Sequence, residues 1–380
     1  MKIFIFQNSP APYRIPLFER LSKKLNIKIV FATVNAGDRF WSTIMESFKY
    51  TILDGVNINI KGKIVTIARG LYKYLKNNPF DVFIITDDLR CIISNIIVIY
   101  HAKKHKKKII LWCGEIESKF RRSKMIPGIF RYISYVYLKY LVKSSQGFLA
   151  YGPKTVENYV KNYNAPKDKF IWGTQGIDTC TLEETSINKP QDSDNPEKEV
   201  VLLYLGYLNE GKGVENLISA VNNVRNRSYS LIIAGKGPFE GYLRSLAQNN
   251  KNIKFTGYVE GKQKMECLLK ADVMISPTYH DCWANTINEA CLFGLPIITT
   301  QMEGAEGSLA INNYNAIVVE PGNVSQLQNA IEYLIDNDEI RREMSCRSRE
   351  LVQKFNLEWA ANNFVKVIES INEQEGNNVL

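Results

Sequence analysis

The stretch Asp272-Val-Met-Ile-Ser-Pro277-Thr-Tyr-His-Asp281-Cys-Trp-Ala-Asn285-Thr-Ile-Asn-Glu289-Ala-Cys-Leu-Phe-Gly294-Leu-Pro296-Ile-Ile-Thr-Thr300 decides the fold. Asp272–Ser276 reads as a short buried strand. Apolar residues then recur at helical spacing from about Asn285 and stop at Gly294, with Pro296 beyond it, and Ile297–Thr300 reads as the next strand. The result is one βαβ-type unit. Ligands of such units sit beyond the carboxyl ends of the strands, where the N–H groups of a helix N-terminus hold phosphate. The loop from Tyr279 to Thr286 is thereby expected to face a cleft, with Asp281 and Glu289 on either side of its junction with the helix. Thr286-Ile-Asn-Glu289 also fits a capping box, which would make Glu289 structural. Asp281 and Trp283 in the same loop are not needed for capping, and they tilt the reading toward a site.

Working outward, 380 residues with 45% hydrophobic content suffice for two domains with separate cores. The net charge of +9 is unevenly divided, with +18 in residues 1–180 and −9 in residues 181–380. Residues 101–150 alone carry 12 basic and 2 acidic side chains. This asymmetry suggests an N-terminal half that meets an anionic surface or substrate, against the plainer reading of a solvated basic face. Seven scattered cysteines without a Cys-x-x-Cys pair, and only three histidines, argue against structural zinc and for reduced thiols. The apolar run in Met1–Gln7 is too short for a signal peptide, and no window approaches a membrane span, so a cytoplasmic protein is expected.

The first half alternates strands near Lys2–Gln7, Ile27–Ala32, Val82–Thr86, Lys108–Cys113 and Gly147–Tyr151 with helical patterns near Ile15–Lys24, Tyr72–Lys76, Ile92–His101 and Phe130–Val142. A polar stretch follows, and alternation restarts at the strand Val200–Leu205. The expectation is an α/β protein of two doubly wound, Rossmann-like domains facing across a cleft. Its parts would be residues 1–182, a linker at 183–199, residues 200–355, and a last helix at 356–380 that packs back on the first domain.

Gly206-Tyr-Leu-Asn-Glu-Gly211-Lys212-Gly213 has the spacing of a phosphate loop but puts Gly213 where an NTPase needs Ser or Thr for magnesium. Lys212 still suits a diphosphate at a strand end, its alternative being an exposed lysine at a helix start. Ala234-Gly235-Lys236-Gly237-Pro238 is a tight turn into a helix, since Pro238 removes an N–H that a dinucleotide fingerprint would use. At the third strand end, backbone groups near Tyr258 and Val259 are placed to hydrogen-bond a base.

Taken together, Gly206-x5-Lys212-Gly213, Ala234-Gly235-x-Gly237-Pro238, Phe255-x-Gly257-Tyr258, Asp281-x-Trp283-x5-Glu289-Ala290, Gly294-Leu295-Pro296 and Glu320-Pro321-Gly322 resemble the C-terminal half of the retaining family-4 (group 1) glycosyltransferases of the GT-B fold. The resemblance implies that Glu289 holds the donor ribose, that Asp281 lies against the donor sugar, and that Lys212 stabilises the departing diphosphate with the N–H groups of Ala284, Asn285 and Thr286. It implies a UDP- or GDP-linked donor, a glycan or lipid-linked acceptor in surface polysaccharide or glycoconjugate synthesis, retention at the anomeric carbon, and neither metal nor cofactor. Pro12-Tyr13-Arg14 after the first strand extends it more loosely, making Arg14 an acceptor-side candidate, with His280 as a second.

Departures from the family are Tyr207 in place of an arginine, Cys282 and Ala284 in place of glycines, and Gly114-Glu115 in place of a histidine, which makes Glu115 a candidate catalytic residue. Asp87-Asp88 reads as helix capping before Leu89 rather than as a metal pair. Two other functions fit the residues less well: a sugar-nucleotide epimerase on the same fold, and a basic membrane- or nucleic-acid-binding protein with a decayed site, which the joint presence of Lys212, Asp281 and Glu289 opposes. No nucleic-acid partner is expected. Lys119-Phe-Arg-Arg-Ser-Lys124 ahead of the aromatic pattern Phe130–Leu141 suits peripheral attachment to an anionic membrane, or equally a packed helix.

Overall fold

The computed structural model describes residues 1–34, 48–60, 63–117, 128–179 and 199–376. Two compact units emerge: the first takes in Met1–Glu117, the described residues up to Gly176 and the chain from Leu357, and the second takes in Ile177–Asn356. Nearly all of the expected linker at 183–199, and the basic run Lys119–Lys124, lie outside the described residues.

In chain order the first unit has β1 (Ile3–Gln7), α1 (Ile15–Lys24), β2 (Ile27–Phe31), β3 (Tyr50–Ile52), β4 (Asp54–Ile60), β5 (Lys63–Arg69), α2 (Leu71–Asn77), β6 (Val82–Thr86), α3 (Ile92–Lys104), β7 (Lys108–Cys113), α4 (Gly128–Ser144), β8 (Gly147–Ala150), α5 (Pro153–Tyr163) and β9 (Phe170–Trp172). Seven of these strands form a sheet in the order β3-β2-β1-β6-β7-β8-β9, and every described pair in it is parallel. Strands covered on both faces have no polar side to show, which is why β1 and β6 read as unbroken apolar runs. Phe4 and Phe6 fill the core on one face while Ile3 and Ile5 fill the core on the other.

Several elements were not expected from the sequence, the three-residue strand β3 among them. The antiparallel hairpin β4–β5 carries Gly55, Asn57 and Asn59, poor strand formers, and β4 leaves most of its residues exposed, so neither propensity nor a buried face announces it. The helix α5 starts on Pro153 and has only a narrow buried stripe, and β9 is three residues long.

The second unit runs β10 (Val200–Leu205), α6 (Val214–Asn223), β11 (Tyr229–Ala234), α7 (Glu240–Ala247), β12 (Ile253–Gly257), α8 (Gly261–Lys270), β13 (Val273–Ser276), α9 (Asn285–Leu292), β14 (Ile297–Thr300), β15 (Ala316–Val319), α10 (Val324–Asp336) and α11 (Asp338–Val352). Its parallel sheet has the order β12-β11-β10-β13-β14-β15, the doubly wound Rossmann order. The winding reverses between β10 and β13, so the crevice that such sheets use for ligands opens at the carboxyl ends of these two strands.

The last helix, α12 (Leu357–Gly376), belongs to the first unit. Phe364 meets Trp112 edge-on at 4.9 Å, and Lys108 Nζ donates to the Ile371 carbonyl at 2.9 Å. These contacts close the sheet face lined by Ile3 and Ile5.

Candidate functional site

Two loops meet at the switch point of the second unit, one after β10 and one after β13. Gly213 holds a left-handed conformation at φ 65°, and a Cβ there would stand 2.1 Å from the Pro277 carbonyl oxygen. No other residue tolerates both conditions, which explains why glycine occupies the position where a phosphate-loop NTPase has Ser or Thr. Tyr279 N–H and the Thr278 hydroxyl both donate to the Gly211 carbonyl, at 2.9 and 3.1 Å. With the loops fixed in this way, Lys212 Nζ forms an ion pair with Asp281 Oδ2, and both side chains remain partly exposed.

A third loop, after β14, supports the pair from below. Asp281 N–H donates to the Met302 carbonyl at 3.1 Å, and Gly304 N–H donates to the Asp281 carbonyl at 2.8 Å. A Cβ on Gly304 would lie 1.8 Å from the Cys282 carbonyl oxygen, so glycine is again what permits the approach. Between these contacts sits Glu303, fully buried, whose Oε1 accepts the N–H of Ala284 at 2.8 Å and of Ala305 at 3.3 Å. Burial, reinforced by the Asp281 charge, pushes the Glu303 carboxyl up to about 8, against the opposing pull of its two N–H donors and of Lys212. Glu303 is a site residue that the sequence reading missed.

Ala284 is the N-cap of α9, and no side chain of its own segment caps that helix. The capping box expected of Thr286 and Glu289 does not form: Thr286 lies inside the first turn, and Glu303 bonds the N-cap N–H that a capping-box glutamate would take. Glu289 is instead paired with Lys264 of α8, Nζ to Oε1 at 2.7 Å, and stays partly exposed. Asn285 and Thr286 open α9 as half-buried residues beside these carboxylates.

On the β10–β11 side, Gly206 and Gly235 serve close packing, since a Cβ on Gly235 would fall 1.8 Å from the Gly206 carbonyl oxygen. Tyr258 is exposed and donates its hydroxyl to Glu260 at 3.1 Å, whereas Val259 is buried. Trp283 is buried too. Its Nε1 donates to Asn288 at 2.7 Å and its ring lies 5.9 Å from Phe355, so the indole packs α9 in place rather than lining a pocket. His280 is half-buried, with its N–H bonded to the Thr278 hydroxyl at 3.2 Å.

In the first unit Arg14 stacks on the Trp112 ring at 4.4 Å and donates to Gln7 and, at 2.5 Å, to the Tyr151 hydroxyl. Asp88 caps the turn before α3 by accepting the Arg90 N–H at 2.9 Å. Asp87 does not cap. Its Oδ2 accepts the N–H groups of Gly114 and Glu115 at 2.8 and 3.0 Å and the Tyr159 hydroxyl at 2.8 Å, while burial raises its pKa. Glu115 is thus fixed through its backbone, which also accepts Asn158 Nδ2 at 2.9 Å.

Residues 186–351 match the family described as glycosyl transferases group 1. An uncharacterised glycosyltransferase of Methanocaldococcus jannaschii is 25% identical over 227 residues, 57% of either chain, and the 2-deoxystreptamine N-acetyl-D-glucosaminyltransferase of Niallia circulans is 26% identical over 161 residues, 40% of this chain and 41% of that one. The chain therefore aligns with only about half the length of these curated relatives. Solved structures extend the likeness of fold. Anabaena HepE in complex with UDP and glucose superposes with a TM-score of 0.73 at 14% identity over 97% of this chain and all of that one. Sucrose-phosphate synthase from Thermosynechococcus elongatus gives 0.76 at 14% identity over 98% of this chain and all of that one. The fold is GT-B, with two Rossmann-like parallel sheets.

Within the matched segment lie Lys212, Asp281, Glu289 and Glu303, together with the turns at Gly206 and Gly235 and the start of α9; Arg14 and Glu115 belong to the other unit. The only hint of Glu303 in the sequence is Gly304 directly after it, close behind a strand, where a carboxylate beside a glycine allows a loop to press on its neighbour.

Proposed function

We propose that the chain is a glycosyltransferase that seats a nucleotide-sugar donor at the β10–β13 switch point of its group 1 domain and transfers the sugar, with retention, to a glycan or lipid-linked acceptor. The observation that carries this reading is the Lys212–Asp281–Glu303 cluster, held together by Gly213 and Gly304 at the strand ends where doubly wound sheets take phosphates. In the proposed reaction the bond from the anomeric carbon to the diphosphate oxygen breaks as the acceptor hydroxyl oxygen bonds that carbon, and the hydroxyl proton passes to the departing diphosphate. Lys212 releases Asp281 and neutralises the charge that develops on the diphosphate, aided by N–H groups at the start of α9. Asp281 then faces the donor sugar, and Glu289 the ribose. HepE in complex with UDP supports a uridine donor, with a guanosine donor as the alternative.

Arg14 of the first unit and His280 of the second are the candidates for holding the acceptor, and Glu115 is a candidate catalytic residue. The charge compensation proposed here comes from protein groups, and turnover is expected to survive a chelator.

A panel of UDP- and GDP-linked hexoses is the test: release of nucleoside diphosphate that requires an added acceptor supports transfer. Donor turnover without acceptor, giving an altered sugar nucleotide, would establish an epimerase instead. Failure of every nucleotide to bind would remove the proposal.

A further inference from the structure

Two neighbouring helices of the first unit, α3 and α4, are apolar on the side that faces water, and α2 adds Tyr72 beside them. Along α3 the buried positions are Ser94, Asn95, Val98, Ile99 and Ala102. The opposite side, continuing from Leu89 through Ile93 and Ile96 to Tyr100, is exposed, Tyr100 by 55%. These residues are spaced 4, 3 and 4 apart, a second apolar stripe on a helix that already spends one on the core. The helix α4 repeats the arrangement. Tyr137, Leu138, Leu141 and Val142 are buried, while Ile129, Tyr132, Ile133, Val136 and Tyr140 point outward, Ile129 by 62% and Tyr132 by 66%.

The two stripes belong to one surface. Tyr72 of α2 lies 6.5 Å from Tyr100, ring to ring, and Lys103 bridges α3 to α4, its Nζ 2.9 Å from Ser144 Oγ and 5.1 Å from the Tyr140 ring centre. A water-soluble surface seldom leaves so many large apolar side chains together unless something covers them.

We infer that this α2–α3–α4 face docks on an anionic lipid bilayer. Charge selects that occupant. The three helices hold Lys73, Lys76, Lys103, Lys104, Arg131, Lys139 and Lys143 and not one Asp or Glu. Two copies meeting through this face would bring fourteen positive charges together, twice the seven on each, whereas anionic headgroups neutralise them. The apolar stripes enter the boundary between headgroups and acyl chains, and the tyrosines take the interfacial level that their amphipathic rings prefer. Among the described residues no helix is long and apolar enough to cross a membrane, so attachment is by one face only. This inference does not depend on the donor reading.

Flotation of the full chain with vesicles of phosphatidylcholine, with and without phosphatidylglycerol, tests it. The wild-type chain is expected to float only with the anionic vesicles and to be released by high salt. The variant Ile93→Ser/Ile96→Ser and the variant Ile133→Ser/Val136→Ser, which change exposed side chains, should each bind at least about tenfold more weakly. Lys139→Glu/Lys143→Glu should lose a similar factor. Sedimentation as a monomer and an unchanged melting temperature show that the variants remain folded. Equal flotation with both vesicle types, no flotation at all, or a lipid-free dimer dissolved by the same substitutions would each overturn the inference, the last in favour of a second copy.

Discussion

Both units place ionisable side chains beyond the strand ends that flank their switch points, but they treat them in opposite ways. In the second unit Lys212 and Asp281 keep 25% and 15% of their side-chain surface exposed, and the only fixed bonds beneath them come from glycine-pinned loops. In the first unit Asp87 accepts three hydrogen bonds from the loop after β7 and from α5, and no part of that network needs a ligand. A carboxylate at a strand end is therefore not evidence of a site in itself. Asp87 is buried and spends one oxygen on three protein donors, which builds a loop, whereas Asp281, with a single N–H from Trp283 at 3.3 Å and a partly exposed lysine as its partner, remains available.

The sharpest way to break the comparison is to remove a charge from each side. Lys212→Ala should lower kcat/KM by about a hundredfold or more, since the charge acts mainly where the leaving group forms. Asp87→Asn should leave nucleotide affinity unchanged while costing about 2 kcal/mol of stability, read from denaturant unfolding, because a neutral amide oxygen accepts the three bonds more weakly than the carboxylate oxygen does. Gly213→Ala, which meets both a left-handed φ and the Pro277 carbonyl, should cost about 2 kcal/mol and shift the Lys212 loop, so that it impairs stability and nucleotide binding together.

The smallest expected effect is a tilt with pH. Folding holds the Glu303 proton up to about pH 8, whereas the unfolded group releases it near its ordinary 4.5. The chain therefore takes up a proton on folding within that window, and this residue's contribution to stability is present below 4.5 and lost as pH rises through 8. Glu303→Gln removes the titration. Its melting temperature relative to wild type should rise between pH 5 and pH 8, the range in which the folded and unfolded groups differ in charge. A constant difference across that range would separate Glu303 from the ionisation assigned to it.

How much of this was legible from the sequence follows from what is local. The parallel strands were readable because burial on both faces leaves unbroken apolar runs such as Val200–Leu205. That Lys212 and Asp281 would meet was readable because loops after neighbouring strands of such a sheet converge at one end. The hairpin β4–β5 was not, since its strands pair mainly with each other and β4 stays largely exposed.

Glu303 was hidden for a different reason. Its partner Ala284 lies 19 residues away and meets it only because β14 adds beside β13. The same contact explains why the capping box that Thr286 and Glu289 offered as the alternative reading does not form, for a distant carboxylate takes its place. The surface on α3 and α4 was half legible. The aromatic pattern of Phe130–Leu141 showed in the sequence, but only the fold reveals which side of each helix is left without a core.

The central claim is that Lys212 and Glu289 belong to one nucleotide site at the switch point. Calorimetric titration of UDP and GDP into the wild-type chain, Lys212→Ala and Glu289→Gln tests it most directly. The account predicts that one nucleotide binds the wild type and that each substitution weakens it by about tenfold or more with the melting temperature preserved. Wild-type affinity in both variants would contradict it.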